Sequence, residues 1–456
     1  MLVNRLIQSV LLATPILCSD GFYKLDFDVR KGFNLTEVVD DFFKGIGDAI
    51  GDTLEDVGDL LGKRENGSQQ VPLTNERAFY ITTLKIGSDA SDVRVLLDTG
   101  SADLWVMSSK NSYCTENGGS MNCDQYGTYN EDNSTTFSKN DTEFSIQYLD
   151  QTFAKGTWGQ DTIELTSSLI LKEGNLAVAD ETDSNVGVFG IGYKSLESAQ
   201  DKYDNIPIQM KQQGFIEKIC YSLYLTPAES EKGSILFGGV DHAKYTGELV
   251  KFDIVPINGV VRHFQIPLND LTVNLITPVQ SATTTASTLV SSPSPHPTIA
   301  LIDDTINQLF GKNSKRDDNV ITLNTNGLFD SGTTLTYLPQ AAVDSLISKI
   351  APGASYNSNL GGYQVPCSLR QEGNSVSYNF DNKKSIEVPL SDLVMIAGRD
   401  SMNQQQCMLG VVANDDHTIL GDNFLRSCYT LFDLEDNTVS IAQMKYSDDE
   451  DIEVIH

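Results

Sequence analysis

The sequence is poor in positive charge: 32 Lys and Arg stand against 62 Asp and Glu, a formal net charge of -30 over 456 residues. That balance argues against nucleic acid or an anionic membrane as the main partner, because both recruit basic surfaces. It suits an acidic medium or basic substrates. Histidine is scarce, and the five present, His242, His263, His296, His417 and His456, show no metal-ligand spacing. No Cys or Ser nucleophile motif accompanies them, so metal hydrolysis and a serine triad are both unsupported, and no metal or cofactor is expected. Long apolar runs are missing too. Past the N-terminus no stretch reaches the roughly 18 residues that a membrane helix needs, so no membrane span is expected.

What is present begins with "MLVNRLIQSVLLATPILCS", where Arg5 precedes a short apolar stretch ending at Cys18 and Ser19. This is the pattern of a secretory signal peptide over residues 1–19. Sequons at Asn34, Asn66, Asn133 and Asn140 fit a secreted glycoprotein. Between Leu35 and Leu61, Val38, Val39, Phe42, Phe43, Ile46, Ile50, Leu54 and Val57 recur at near-helical spacing, interrupted by glycines. The dibasic pair Lys63 and Arg64 follows in a polar stretch suited to a processing protease, so residues 20–64 read as a removable pro-segment. From Val71 onward short β-branched runs separated by Gly, Asn, Asp and Ser predict an all-β body. The expected strands include "FYITTLKIG", "FSIQYL", "GSILFGGV" and "CYTLFDL"; the clearest helix is "QAAVDSLISKI" after Pro339.

An internal repeat carries the chemistry. "LLDTGSADLW" has a partner in "LFDSGTTLTYL", which puts Asp98 and Asp330 in one context: two apolar residues, Asp, Thr or Ser, Gly, Ser or Thr. A second pair follows downstream in the same order, "VFGIG" at Val188–Gly192 and "TILGD" at Thr418–Asp422. Two related lobes, each with one such aspartate, would bring two carboxylates together at their junction.

These repeated motifs, with "YCTENGGSMNCDQYG", "GSILFGGVDHAKY", "DSGTTLTYLP" and "LGDNFLRSCYTLFDLEDNTVSIAQ", resemble the pepsin-like aspartic proteases, most nearly the fungal yapsins and candidapepsins. The resemblance spans about residues 71–446. It implies a bilobal fold with the cleft between an N-terminal lobe, 65–245, and a C-terminal lobe, 246–446, followed by an acidic tail, 447–456. It also implies a secreted endopeptidase, sensitive to pepstatin-type inhibitors, acting on proteins or peptides as a monomer. Two carboxylates about 3 Å apart resist joint ionisation and share a proton, the behaviour for which aspartic proteases are the standard illustration. The charged member takes a proton from a water while the neutral one hydrogen-bonds the scissile carbonyl.

The neighbours have assignable roles. Gly100 and Gly332 allow tight backbone and leave amides free to approach the carboxylates. By resemblance Thr99 and Ser331 tie the two loops together, while Ser101 and Thr333 hydrogen-bond the outer carboxylate oxygens. The resemblance places a flap hairpin at "FSIQYLDQTFAKGTWGQDTI", matching Tyr148 to the flap tyrosine and Trp105 to the indole that holds its phenol. Family flaps commonly read Tyr-Gly-Asp-Gly; Leu149 and Gln151 replace both glycines here, so a different turn is expected at the tip. Asp150 could pair with a Lys or Arg of the substrate, the preference associated with yapsins. Its alternative is a turn aspartate bonding its own backbone, and broad, candidapepsin-like specificity stays open.

Of seven cysteines, Cys18 leaves with the signal peptide. By resemblance Cys114 pairs with Cys123 and Cys367 with Cys407. Cys220 and Cys428 leave two readings open, an inter-lobe disulfide or two buried thiols. An insertion at 277–320 is rich in Ser, Thr and Pro and carries the dibasic pair Lys315 and Arg316. Cleavage there would give a two-chain enzyme, which a Cys220–Cys428 bond would hold together. "KYSDDEDIEVIH" lacks the apolar tail of a GPI signal, so free secretion or wall association is expected. The rival from another class is a catalytically silent peptide-binding homologue, disfavoured because both aspartates are present.

Overall fold

The computed structural model of the chain describes residues 21–31, 78–148, 152–227, 232–276, 319–358, 362–400 and 402–456. The signal-peptide stretch, Asn34, Asn66, Lys63, Arg64, the flap-tip residues Leu149, Asp150 and Gln151, Lys315 and Arg316 lie outside the described residues. Strands dominate, as the short β-branched runs predict.

Ten strands organise the first half: β1 (Tyr23–Lys31), β2 (Ala78–Ile86), β3 (Ser91–Asp98), β4 (Leu104–Met107), β5 (Ser138–Gln147), β6 (Phe153–Thr166), β7 (Leu169–Thr182), β8 (Gly187–Gly190), β9 (Cys220–Leu225) and β10 (Lys232–Phe237). They form one sheet in the spatial order β9-β10-β1-β2-β3-β8-β4-β7-β6-β5, which continues beyond β9 into Cys428–Asp433, Thr438–Met444 and Tyr245–Asp253. The second half has a seven-stranded sheet built around Gln265–Asn274 and Val320–Phe329. The helix expected after Pro339 is present at Gln340–Ile350, burying Ala342, Val343, Leu346, Ile347 and Ile350.

The repeat has a structural counterpart. β3 runs parallel to β8 with Asp98 beside Gly190, and Val320–Phe329 runs parallel to Ile419–Leu420 with Phe329 beside Leu420. Each aspartate therefore follows a central strand flanked by its apolar-apolar-Gly partner. Burial alternates along both strands and turns continuous only at Leu97–Asp98 and Phe329–Asp330, so each aspartate stands at a buried strand end.

Cys114 and Cys123 are bonded, as are Cys367 and Cys407. Of the two readings left open for the remaining cysteines, the structure shows the buried thiols and not the inter-lobe disulfide: Cys220 and Cys428 are both free and buried. They stand on neighbouring antiparallel strands whose register sets Cys220 opposite Asp433, five positions from Cys428. At about 3.3 Å per residue this separates them by roughly 17 Å, against the 4.4–6.8 Å between Cα atoms that a disulfide requires. Burial pushes both thiols up to about 12. Neither bonded pair brackets the 277–320 insertion, so a chain cut there would be held by packing and sheet hydrogen bonds alone.

The acidic tail is built into the fold. Ile452–Val454 pairs antiparallel with Gly239–Asp241, and the buried Lys244 ammonium donates to the carbonyls of Ser447 and Asp449 at 2.7 and 2.8 Å. Lys24 of β1 reaches Glu450 at 2.6 Å.

Candidate active site

Asp98 and Asp330 meet where the two halves join, 6% and 9% exposed. Their loops interlock. Thr99 N–H donates to Ser331 Oγ at 3.2 Å, and Ser331 N–H donates to Thr99 Oγ1 at 3.0 Å. Each hydroxyl then donates across the junction to a carbonyl just before the opposite aspartate, Thr99 to Phe329 at 3.0 Å and Ser331 to Leu97 at 2.9 Å. Four hydrogen bonds in a buried setting fix one loop against the other, and removing one partner would leave a buried donor or acceptor unsatisfied.

The carboxylates receive matching donors. Gly100 N–H donates to Asp98 Oδ1 at 2.7 Å and Gly332 N–H to Asp330 Oδ1 at 2.9 Å. Ser101 Oγ donates to Asp98 Oδ2 at 2.5 Å and Thr333 Oγ1 to Asp330 Oδ2 at 2.7 Å. The glycines also make room: a Cβ on Gly100 would lie 2.7 Å from Asp330 Oδ1, and one on Gly332 would strike the Asp98 carboxylate. Each glycine is thus required by the opposite aspartate. Burial, then the charge of Asp330, raises Asp98 well above the ordinary carboxylate range, while the Ser101 and Gly100 bonds oppose the shift. The neighbouring Asp330 carboxylate thus disfavours the charged form of Asp98.

In the same half as Asp98, β5 and β6 pair as a hairpin in which the Tyr148 N–H donates to the Thr152 carbonyl at 2.9 Å. Trp105 is fully buried, and its Nε1 donates to the Tyr148 hydroxyl at 2.7 Å. Both tryptophans of the chain, Trp105 and Trp158, sit in one cluster with Phe144, Ala154, Ala177, Ala179 and Val188, against which Tyr148 and Tyr203 pack.

Sequence reasoning missed several buried polar groups. Asp103, 1% exposed, accepts from Tyr203 OH and from Ser198 N–H, both at 2.7 Å. Glu197, 3% exposed, accepts from Tyr203 N–H at 2.9 Å, and burial raises it to about 8. Under the Asp330 side, Asp422 is fully buried and raised well above its ordinary value by that burial; Arg426 beside it donates from Nε to Tyr80 OH at 3.1 Å. Asp103 had a legible signal, a second carboxylate in the apolar run of "LLDTGSADLW". Glu197 and Tyr203 had none. Of the candidate sequons, Asn133 and Asn140 are exposed.

Residues 79–293 and 302–444 match the family model of eukaryotic aspartyl proteases. The chain is 40% identical to secreted aspartic protease 7 of Candida albicans over 385 residues, 84% of this chain and 63% of that protein. It thus spans less than two thirds of that relative's length. Yapsin-3 of Saccharomyces cerevisiae is 38% identical over 410 residues, 87% of this chain and 72% of that protein. Candidapepsin-3 of Candida albicans is 34% identical over 443 residues, covering 95% and 94%. With two reciprocal Asp-Thr/Ser-Gly loops at its centre, the chain belongs to the eukaryotic aspartyl protease family.

Proposed function

We propose that the chain is a secreted aspartic endopeptidase in which Asp98 and Asp330 are the catalytic residues. The observation that carries this reading is the reciprocal cage: two buried carboxylates with matched donors and one raised titration. The ionised member of the pair accepts a proton from a water between them. The protonated member donates a hydrogen bond to the scissile carbonyl oxygen. The water oxygen attacks the carbonyl carbon, and the intermediate collapses as a proton passes to the leaving amine, with no covalent enzyme intermediate. Tyr148, steadied by Trp105, closes over the substrate, and Thr333, Gly100 and Gly332 border the reacting groups.

The finer reading is a preference for basic residues beside the cut bond, through Asp150. The net charge of -30 supports it, since a cationic peptide is drawn to an acidic protein. Residues 20–64 act as a pro-segment cut after Lys63–Arg64. Its strand β1 is held between β10 and β2 and tied by Lys24 to Glu450.

The test incubates purified processed protein with a mixed peptide library from about pH 3 to 7, with and without pepstatin, mapping each cut by mass spectrometry. Pepstatin-sensitive cuts beside Lys and Arg support the full reading. Sensitive cuts between apolar residues keep the endopeptidase and reject the basic preference. No cuts at any pH reject catalysis in favour of a peptide-binding homologue.

A further inference from the structure

The flap tyrosine does not rest on Trp105 alone. Trp105 lies 6.4 Å from Phe144 between ring centroids, Phe144 meets Trp158 edge-on at 5.1 Å, and Trp158 packs on Tyr203 at 4.9 Å. The ladder ends on a hydrogen bond, Tyr203 OH to Asp103 Oδ1 at 2.7 Å. Asp103 stands two residues after Ser101, which holds the Asp98 carboxylate, and two before Trp105, which holds Tyr148. Its carbonyl accepts from Gly190 N–H at 2.9 Å, so its backbone is fixed to the strand beside Asp98. Its side chain reaches the other way, to Ser198 and Tyr203. Glu197 pins the same segment by accepting from Tyr203 N–H.

We propose that Tyr203 is a positioning residue: anchored on Asp103, it sets the aromatic wall that holds Trp105 and Tyr148 in place over the aspartates. This deepens the endopeptidase reading and rests on it. An aliphatic core would fill the same space, but aromatic rings have few rotatable bonds and preferred edge and stacked contacts, so an anchored end transmits its position. The closing flap then meets a wall already formed, and no ordering cost is added when substrate binds.

The ladder contains both tryptophans, so the chain's tryptophan emission reports on this wall alone. The experiment uses the protein as secreted and processed, as wild type, Tyr203→Phe and Tyr129→Phe. Tyr129 is the control: fully buried in the same half, it donates to Asp161 at 2.6 Å and stands outside the ladder. Both variants lose one hydroxyl bond to a buried carboxylate, so both lower the melting temperature. Only Tyr203→Phe should lower kcat, by about tenfold with KM within about twofold, and alter the emission change on adding pepstatin. If Tyr203→Phe is not secreted, Asp103→Ala serves: it removes the carboxylate that accepts from the Tyr203 hydroxyl, and should move kcat and emission the same way.

Equal kcat and equal emission change in Tyr203→Phe and Tyr129→Phe would overturn the positioning role while leaving the endopeptidase reading intact. A wild type that cleaves nothing would overturn that reading, and the role with it.

Discussion

Around Asp98 and around Asp330 the chain repeats the same contacts: one glycine amide and one hydroxyl on each carboxylate, and one hydroxyl sent across to the other loop. One layer out, the likeness ends. Five residues after Asp98 stands the buried carboxylate Asp103, and five after Asp330 stands Leu335. Seven residues on, Trp105 faces the flap, where the other half has Tyr337 beside Leu335, Met395 and Met408. After the partner glycines, Ile191 in one half corresponds to buried Asp422 in the other. The groups touching the two carboxylates stay symmetric, as a shared chemistry would require. The groups behind them support different walls and have diverged.

If the inner layer is symmetric in function as in geometry, Asp98→Asn and Asp330→Asn should each cut kcat/KM by about 10²–10⁴-fold or more, despite their unlike surroundings, as steady-state kinetics on one peptide would report. A variant that keeps half its activity would break the symmetry. Next in size, Gly100→Ala and Gly332→Ala each drive a methyl into the opposite carboxylate, with an expected cost of about 1–3 kcal/mol by thermal unfolding. A null effect on either side would show that the loops can move apart.

The outer layer should differ with pH. Glu197 is raised from an ordinary 4.5 to about 8 chiefly by burial. The unfolded chain ionises there first, so this group takes stability away progressively as pH rises from about 4.5 to 8. Asp103 and the paired ammoniums Lys194 and Lys202 are the charges that face it. Glu197→Gln should therefore flatten the fall in melting temperature across that window; an unchanged slope would assign the fall to other groups. The smallest effect belongs to Lys24 and Glu450, an exposed pair in which Lys24 holds the carboxyl below its ordinary range. That contribution is present above the ordinary glutamate pKa and is lost as pH falls through the lowered one. In the unprocessed chain, which keeps Lys24, Glu450→Gln should change stability by less than about 1 kcal/mol at neutral pH, and by nothing in strong acid, as thermal unfolding would report.

The inner layer was legible in the sequence because its residues are contiguous: Asp, the next residue's hydroxyl, the glycine and the second hydroxyl occupy four consecutive positions in each half. The helix after Pro339 was legible for the same reason, as a local period. The free thiols Cys220 and Cys428 were not, because strand register decides which residues face each other, and register is set by the whole sheet. Tyr203 was equally hidden. It is 100 residues from Asp103, and a tyrosine beside an aspartate in space leaves no mark in the spacing. The tail's acidity was visible, but its pairing with Gly239–Asp241 depends on a strand more than two hundred residues earlier.

The central claim is that two carboxylates, one from each half, share the proton that peptide hydrolysis uses. Its most direct test is the pH dependence of kcat/KM for the processed wild type, from about pH 2 to 8 at constant ionic strength, with tryptophan emission reporting the folded fraction. The account predicts a bell whose acid and alkaline limbs belong to the pair, with the alkaline limb falling while the emission still reports folded protein. A rate that rises through neutral pH and stays high, as with a single histidine base, would contradict it.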